Sequence, residues 1–212
     1  GMLGIIPDYE DVSSGIISAQ ILSESPAARV ASEIKIFDKI TGIDGVKIAS
    51  GDDPYEFLNG TIGQETRIDL INRSGITRTI SLTPISVAEH RELVQRSQQN
   101  KNRTLVDQVS KDRIGYIVLS QITASSVEQF ESALRKYSRS KDALLIDLRG
   151  NTGGSEHDRG LSILARKPYI KHHPRFGQEG TDSPWAFTGP IALLIDERTS
   201  SDAEILAEGF RQ

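Results

Sequence analysis

The second half of the chain holds two unbroken apolar runs, Ala143-Leu144-Leu145-Ile146 and Ile191-Ala192-Leu193-Leu194-Ile195, each leading into a polar loop and then a helical pattern. A strand that is apolar on both faces must be covered on both, which is the condition of a parallel sheet wrapped by helices. Gly115-Tyr116-Ile117-Val118-Leu119 supplies another strand. The helix after it carries Val127, Phe130, Leu134 and Tyr137 at three/four spacing, with Ser125 and Glu128 as its expected capping box. Leu161, Ile163 and Leu164 mark the next helix, and residues 167–189, rich in Pro, Gly and His, read as a loop. Strand–helix repeats of this kind imply right-handed crossovers.

In an open parallel sheet, chemistry sits outside the carboxyl ends of the strands. Two loops leave such ends here. One is Asp147-Leu148-Arg149-Gly150-Asn151-Thr152-Gly153-Gly154; the other is Arg198-Thr199-Ser200-Ser201-Asp202. The first brings glycines that let bare backbone N–H groups approach a substrate, and the second brings a hydroxyl at a strand-to-helix joint. A nucleophile and an oxyanion hole are what acyl transfer requires. Each piece also has a plainer reading. Ser201 with Glu204 is a capping box, and spacing alone favours that role. Gly153-Gly154 is an ordinary turn signal, and Asp147 with Arg149 reads as a structural ion pair. His157 lies in the glycine loop and could approach the site, although a solvated loop histidine is the plainer reading, and His90 belongs to the charged connector. No carboxylate or further histidine stands at ligand spacing from His172-His173, so no metal site is expected. Asp52-Asp53 reads as a turn and helix start without the alternating oxygens of a calcium loop.

The first half reads differently. Gly15-Ile16-Ile17-Ser18-Ala19 and Ile34-Lys35-Ile36 are short strand-like runs, and Ser74-Gly75 joins two more as a hairpin. Ser25-Pro26 is a helix start, Asp44-Gly45 a tight turn, and residues 54–58 a second short helix. Residues 1–86 therefore form a β-rich α+β domain, 87–112 a charged helical connector, and 113–212 an α/β domain.

Composition narrows the function classes. A net charge of −4 supplies no polycationic face for nucleic acid. Zero cysteines exclude disulfides and thiolate metal sites. No apolar run reaches the ~20 residues that span a bilayer, and Met2-Leu3-Gly4-Ile5-Ile6 lacks the basic lead of a signal peptide. Gly1 before Met2 resembles the scar of a removed tag, and the chain is expected to be a piece of a longer protein.

Taken together and in this order, the motifs resemble the tricorn-type branch of the C-terminal-processing serine peptidases. The stretch Ile146-Asp147-Leu148-Arg149-Gly150-Asn151-Thr152-Gly153-Gly154 is similar to that family's Asp-x-Arg-x-Asn-x-Gly-Gly loop. Thr199-Ser200-Ser201-Asp202-Ala203-Glu204-Ile205 is similar to its nucleophile segment, and the Ser-Asp pair is the tricorn form. Ser25-Pro26-Ala27-Ala28 and residues 38–45 resemble the family's PDZ domain, with Glu33 and Phe37 standing where glycines are usual. The resemblance implies an N-terminal PDZ-like domain followed by a partial crotonase/ClpP-like peptidase domain. It implies Ser201 as acyl nucleophile and the backbone N–H groups of Asp202 and Gly153 as oxyanion hole, with Gly154 the alternative for the second donor. Leu3, Gly4 and Ile5 would form the edge that receives a peptide.

Peptides or unfolded proteins are then the partners, no cofactor is implied, and family members range from monomers to homo-oligomeric rings. The compartment stays open between cytoplasm, by the tricorn resemblance, and periplasm. The family's general base lies in segments that these residues do not include, so this chain alone is expected to be inactive. A non-catalytic PDZ-bearing module and a crotonase-type acyl enzyme are the other readings; the PDZ-like half argues against the latter.

Overall fold

The computed structural model of the chain describes all residues except 9–15, 31–32, 50, 178 and 183–184. It divides into two compact units, residues 1–100 and 101–212. The expected boundaries at 86 and 112 flank helix α2 (Val87–Ser110), and the division between the units falls inside that helix. α2 opens on a capping box in which Glu89 N–H donates to Ser86 Oγ (3.2 Å) and Ser86 N–H donates to Glu89 Oε2 (2.8 Å).

In the first unit, strands β1 (Ile5–Pro7), β2 (Ile16–Ile21), β3 (Lys39–Ile43), β5 (Thr66–Ile71) and β6 (Thr77–Leu82) are laddered in the order β1-β2-β3-β5-β6, with β4 (Val46–Lys47) added on β3. Every pair is antiparallel. One face of the sheet is apolar, as the period-two pattern demands: Ile68 and Leu70 of β5 and Ile80 and Leu82 of β6 turn inward. They meet Ile40, Ile43, Leu58 and Ala27 in one core. The Ser74-Gly75 turn is found, with Ile71 facing Thr77 across it. So is the turn at Asp44 (φ 49) and Gly45 (φ 81), whose two left-handed residues suit a tight hairpin. Helix α1 (Pro26–Arg29) starts as expected, with Ala28 N–H donating to Ser25 Oγ at 3.1 Å.

Two expectations in this unit change. Residues 34–36 are not a strand. Ile34 is buried and Ile36 is half exposed, but the chain turns sharply at Phe37 (φ 72), whose N–H donates to Ser18 O at 2.6 Å. Phe37, standing in a glycine's usual place, adopts the backbone that glycine would, and the Arg73 guanidinium lies 3.8 Å above its ring. The second helix is reduced to a single 3₁₀ turn, Glu56–Leu58. Gly15, placed at the start of a strand from sequence, lies outside the described residues; β2 begins at Ile16.

The second unit is built on three parallel strands, β7 (Ile114–Val118), β8 (Ala143–Asp147) and β11 (Ile191–Leu194), in the order β11-β8-β7. Val118, Asp147 and Leu194 stand level at their carboxyl ends. Helix α3 (Ala124–Tyr137) connects β7 to β8, α4 (His157–Leu164) follows β8, and α5 (Asp202–Arg211) follows β11. Val127, Phe130 and Leu134 of α3, Ile163 of α4 and Leu206 of α5 close on Ile117, Leu144 and Ile146. The capping box of α3 lies two residues before the expected Ser125–Glu128. Thr123 is the N-cap, with Ser126 N–H donating to Thr123 Oγ1 (3.3 Å) and Thr123 N–H donating to Ser126 Oγ (2.9 Å). A serine at the third helical position can return the bond as Glu does, and this sequence offers both. The expected loop 167–189 contains a short hairpin, β9 (Ile170–His172) with β10 (Gly180–Asp182).

Phe130 is 1% exposed at the centre of this core. Phe130→Ala should lower unfolding free energy by about 3–5 kcal/mol, read by equilibrium denaturation. A change below ~1 kcal/mol would contradict the packing described.

Candidate active site

Three loops leave the carboxyl ends of β7, β8 and β11, and their hydrogen bonds draw them together. Asn151, fully buried, donates its amide to Leu119 O at 2.7 Å and accepts Gly153 N–H on Oδ1 at 2.8 Å. Its own carbonyl accepts Ser200 N–H at 2.9 Å. Gly150 N–H donates to Asp196 Oδ1 (2.8 Å), and Thr199 Oγ1 donates to Leu148 O (3.0 Å). A parallel bridge joins Ile122 to Gly154, using the carbonyl of Gly153 and the N–H of Ser155.

These bonds bring Gly153 beside Ser201 and Asp202, and Gly154 against Ile122. A Cβ on Gly153 would lie 2.7 Å from Ser201 Cβ and 3.0 Å from Asp202 N, and Gly153 has φ 95. A Cβ on Gly154 would lie 2.0 Å from Ile122 O. Both positions therefore need glycine for close approach, and Gly153 needs it for backbone angle as well. The N–H groups are used unequally. Gly153 N–H is held by Asn151, whereas the bridge leaves Gly154 N–H out of its pattern. Asp202 is the first residue of α5, so its N–H has no acceptor within the helix.

Ser201 distinguishes itself by backbone. The serine and threonine that serve as caps elsewhere take extended angles: Ser25 φ −74, ψ 166, and Thr123 φ −104, ψ 164. Ser201 sits at φ 56, ψ −127, a region that is close to glycine-only. Glu204 closes the return half of the capping box, accepting Ser201 N–H at 2.6 Å. The Ser201 hydroxyl approaches the Glu204 N–H in the same box without completing a side-chain cap bond. Ser201 is exposed, and Asp202 is buried behind it.

Sequence reasoning missed what the Asp202 carboxylate does. Oδ2 accepts the N–H groups of Glu156 (3.0 Å) and His157 (3.1 Å), and Oδ1 meets the Nδ1 of His157. His157 is thus not a solvated loop histidine; it opens α4 with its ring against Asp202. The signal was faint: an Asp just after the serine, and a His just past the glycine pair.

The Asp147–Arg149 pair is structural, as its spacing suggested. Arg149 Nη2 donates to Asp147 Oδ2 at 2.6 Å, and the Tyr116 hydroxyl donates to the same oxygen at 2.5 Å. Burial pushes the Asp147 carboxyl up, but hydrogen bonds from Arg149 and Tyr116 outweigh it and leave it below its ordinary value. Asp196 is held at about 2, chiefly by the Gly150 N–H, against burial, with Arg198 adding to the effect. His173 Nδ1 lies 2.8 Å from Glu179 Oε1 across the β9–β10 hairpin. His90 is buried in α2, and burial lowers its imidazole pKa.

Leu3, Gly4 and Ile5 belong to the first unit. Leu3 and Ile5 point into its core, each 4% exposed, and β1 is the terminal strand of its sheet. Gly4 has φ 79, and a Cβ there would meet Ser25 Cβ at 2.0 Å. Leu3 O accepts Ala27 N–H, and Gly4 O accepts Leu22 N–H.

Residues 113–212, which hold the parallel sheet, the glycine loop and the strained serine, match Peptidase family S41. The chain is similar to tricorn proteases and to carboxy-terminal processing peptidases. It is 28% identical over 176 residues to the tricorn protease of Thermoplasma acidophilum, an alignment covering 82% of this chain and 16% of that protein. The Thermoplasma volcanium tricorn protease is 25% identical over 193 residues (89% and 18%). The carboxy-terminal processing protease CtpB of Bacillus subtilis is 26% identical over 207 residues (93% and 41%). A crystal structure of the tricorn protease shares the fold, with a TM-score of 0.75 over 98% of this chain and 21% of that one, at 24% identity. The chain thus spans less than a fifth of these two Thermoplasma tricorn proteases.

The loops carry an acid-sensitive element. A carboxylate held below its unfolded value stabilises the fold fully above that value, and the contribution is lost as pH falls through the folded one. For Asp196 the window runs from 3.8 down to about 2. Denaturation between pH ~4 and ~2 should show wild type losing stability, with Asp196→Asn losing less of it over the same interval. Equal slopes would show that the Gly150–Asp196 bond contributes nothing.

Proposed function

We propose that this chain carries the nucleophile half of a serine peptidase site, with Ser201 attacking the scissile carbonyl of an oligopeptide or unfolded protein. The observation that carries the proposal is the backbone of Ser201: a helix cap gains nothing from φ 56, ψ −127, whereas a nucleophile presented on a tight strand-to-helix turn does. The N–H groups of Asp202 and Gly154 are the oxyanion donors. Gly154 takes the place first expected for Gly153, because Gly153 N–H is already bound to Asn151 and Gly153 instead clears the space beside Ser201.

The general base comes from outside residues 1–212. In the family that the chain resembles, the base stands in segments these residues do not include; the His157 ring meets Asp202 through Nδ1, and its Nε2 lies 3.5 Å from Asp158 Oδ1, with no hydrogen bond to Ser201 among the described residues. General-base assistance is worth ~10²–10⁴-fold, so the isolated chain hydrolyses no peptide at a measurable rate. The first unit is a PDZ-like domain that takes a peptide along β1 by strand addition, at the edge formed by Leu3, Gly4 and Ile5.

A fluorophosphonate probe tests this on the full-length protein. Labelling of Ser201 is expected, and Ser201→Ala should abolish both the label and oligopeptide hydrolysis. Tight binding of peptide carboxylates by a protein that never labels would instead establish a binding module. Serine-dependent hydrolysis by the 212-residue chain alone would show that the base lies within it.

A further inference from the structure

We propose that His157 is a positioning residue: it fixes the Asp202 carboxylate and so holds the Ser201-Asp202 backbone in its strained, donor-forward shape. The inference rests on the reading of Asp202 N–H as an oxyanion donor, and it adds a residue to which that reading gives no part. Asp202 is unusual in facing two ways. Its main chain is the first of α5 and lies against the glycine loop, so close that a Cβ on Gly153 would come within 3.0 Å of Asp202 N. Its carboxylate belongs to a residue only 5% exposed and is committed to the start of α4.

That start has no cap of its own. Glu156 stands at the N-cap position without a side-chain cap bond. Asp202 supplies the cap from another helix, taking two of the main-chain N–H groups that a helix start leaves without partners. A negative charge there is favoured by the helix dipole. These two bonds occupy Oδ2. Without the imidazole, Oδ1 would be left in a buried place with no donor, and the carboxylate could rotate about its own axis. The Nδ1 of His157 fills that role, and the ring's other nitrogen lies 3.5 Å from Asp158 Oδ1, so the ring is flanked on both sides by carboxylates.

The consequence reaches the reacting centre through one residue. Ser201 holds an unfavourable backbone only while its surroundings over-determine it. Three tethers do so here: Ser200 N–H to Asn151 O, Glu204 to Ser201 N–H, and the Asp202 carboxylate to α4. His157 locks the third. Loosening it lets Asp202 N–H drift from the point where an oxyanion forms, and misplacement by about an ångström suffices to cost ~10²-fold in rate.

The test uses the full-length protein with two variants. His157→Phe keeps a ring without a donor; His157→Asn keeps an N–H near the place of Nδ1. His157→Phe should slow Ser201 labelling by a fluorophosphonate, and kcat, by about 10- to 100-fold, with KM within about twofold. Deuterium uptake over residues 199–204 should rise in parallel. His157→Asn should restore labelling to within about threefold of wild type, together with slow uptake. A Phe variant equal to wild type in labelling and uptake overturns the proposal, as does an Asn variant impaired as much as Phe. If wild-type protein does not label at all, the peptidase reading fails separately, and deuterium uptake then decides: faster in Phe and unchanged in Asn supports the latch, and no difference between them removes it.

Discussion

The site depends on one buried amide. Asn151 is sealed from solvent, and its side chain and main chain between them reach the loops after β7, β8 and β11. In water those donors and acceptors would be satisfied at little cost; inside the domain an unmet one costs roughly 1–3 kcal/mol. Each of the three loops therefore has an energetic reason to stay where Asn151 puts it. An aspartate would lose the donor to Leu119 O, and a leucine would take the side-chain partner from both Leu119 O and Gly153 N–H. The glycines then follow as a packing requirement. Once Asn151 pulls the loops into register, the space at 153 and 154 is too small for any Cβ.

The parts of the fold that could be read from sequence are those where local pattern and tertiary contact agree. The run at 143–146 is apolar on both faces and lies in the middle of the sheet with Leu144 and Ile146 buried, whereas 191–195, its equally apolar parallel neighbour, lies at the edge and leaves Ala192 and Ile195 exposed. The hairpin at Ser74-Gly75 and the turn at Asp44-Gly45 carry their own geometry in their residue types. Where the reading failed, a distant partner decided. Residues 34–36 have strand-like composition, but the bond from Phe37 N–H to Ser18 O and the pairing of Asp38 with Arg78 fix a turn there instead. The cap of α3 moved because Thr123 and Ser126 satisfy each other as well as Ser125 and Glu128 would.

The candidate site was legible as residues and not as geometry. Ser201, Asp202, Gly153 and Gly154 could all be named from two short motifs. Which glycine N–H is already engaged could not, because that is settled by the rotamer of Asn151. The link between His157 and Asp202 spans two helices separated by a hairpin and a strand, and no local pattern encodes such a pair. Arg149 showed the reverse case: its partner stands two residues away at the same strand end, and spacing alone identified it.

The strained backbone at Ser201 sets the interests of the fold against those of the chemistry. A glycine at 201 would adopt φ 56, ψ −127 without a Cβ penalty, so Ser201→Gly should raise the unfolding midpoint even as it deletes the hydroxyl. A selection for thermal tolerance alone, applied to this protein without a demand for turnover, would be drawn to the very position proposed as its nucleophile.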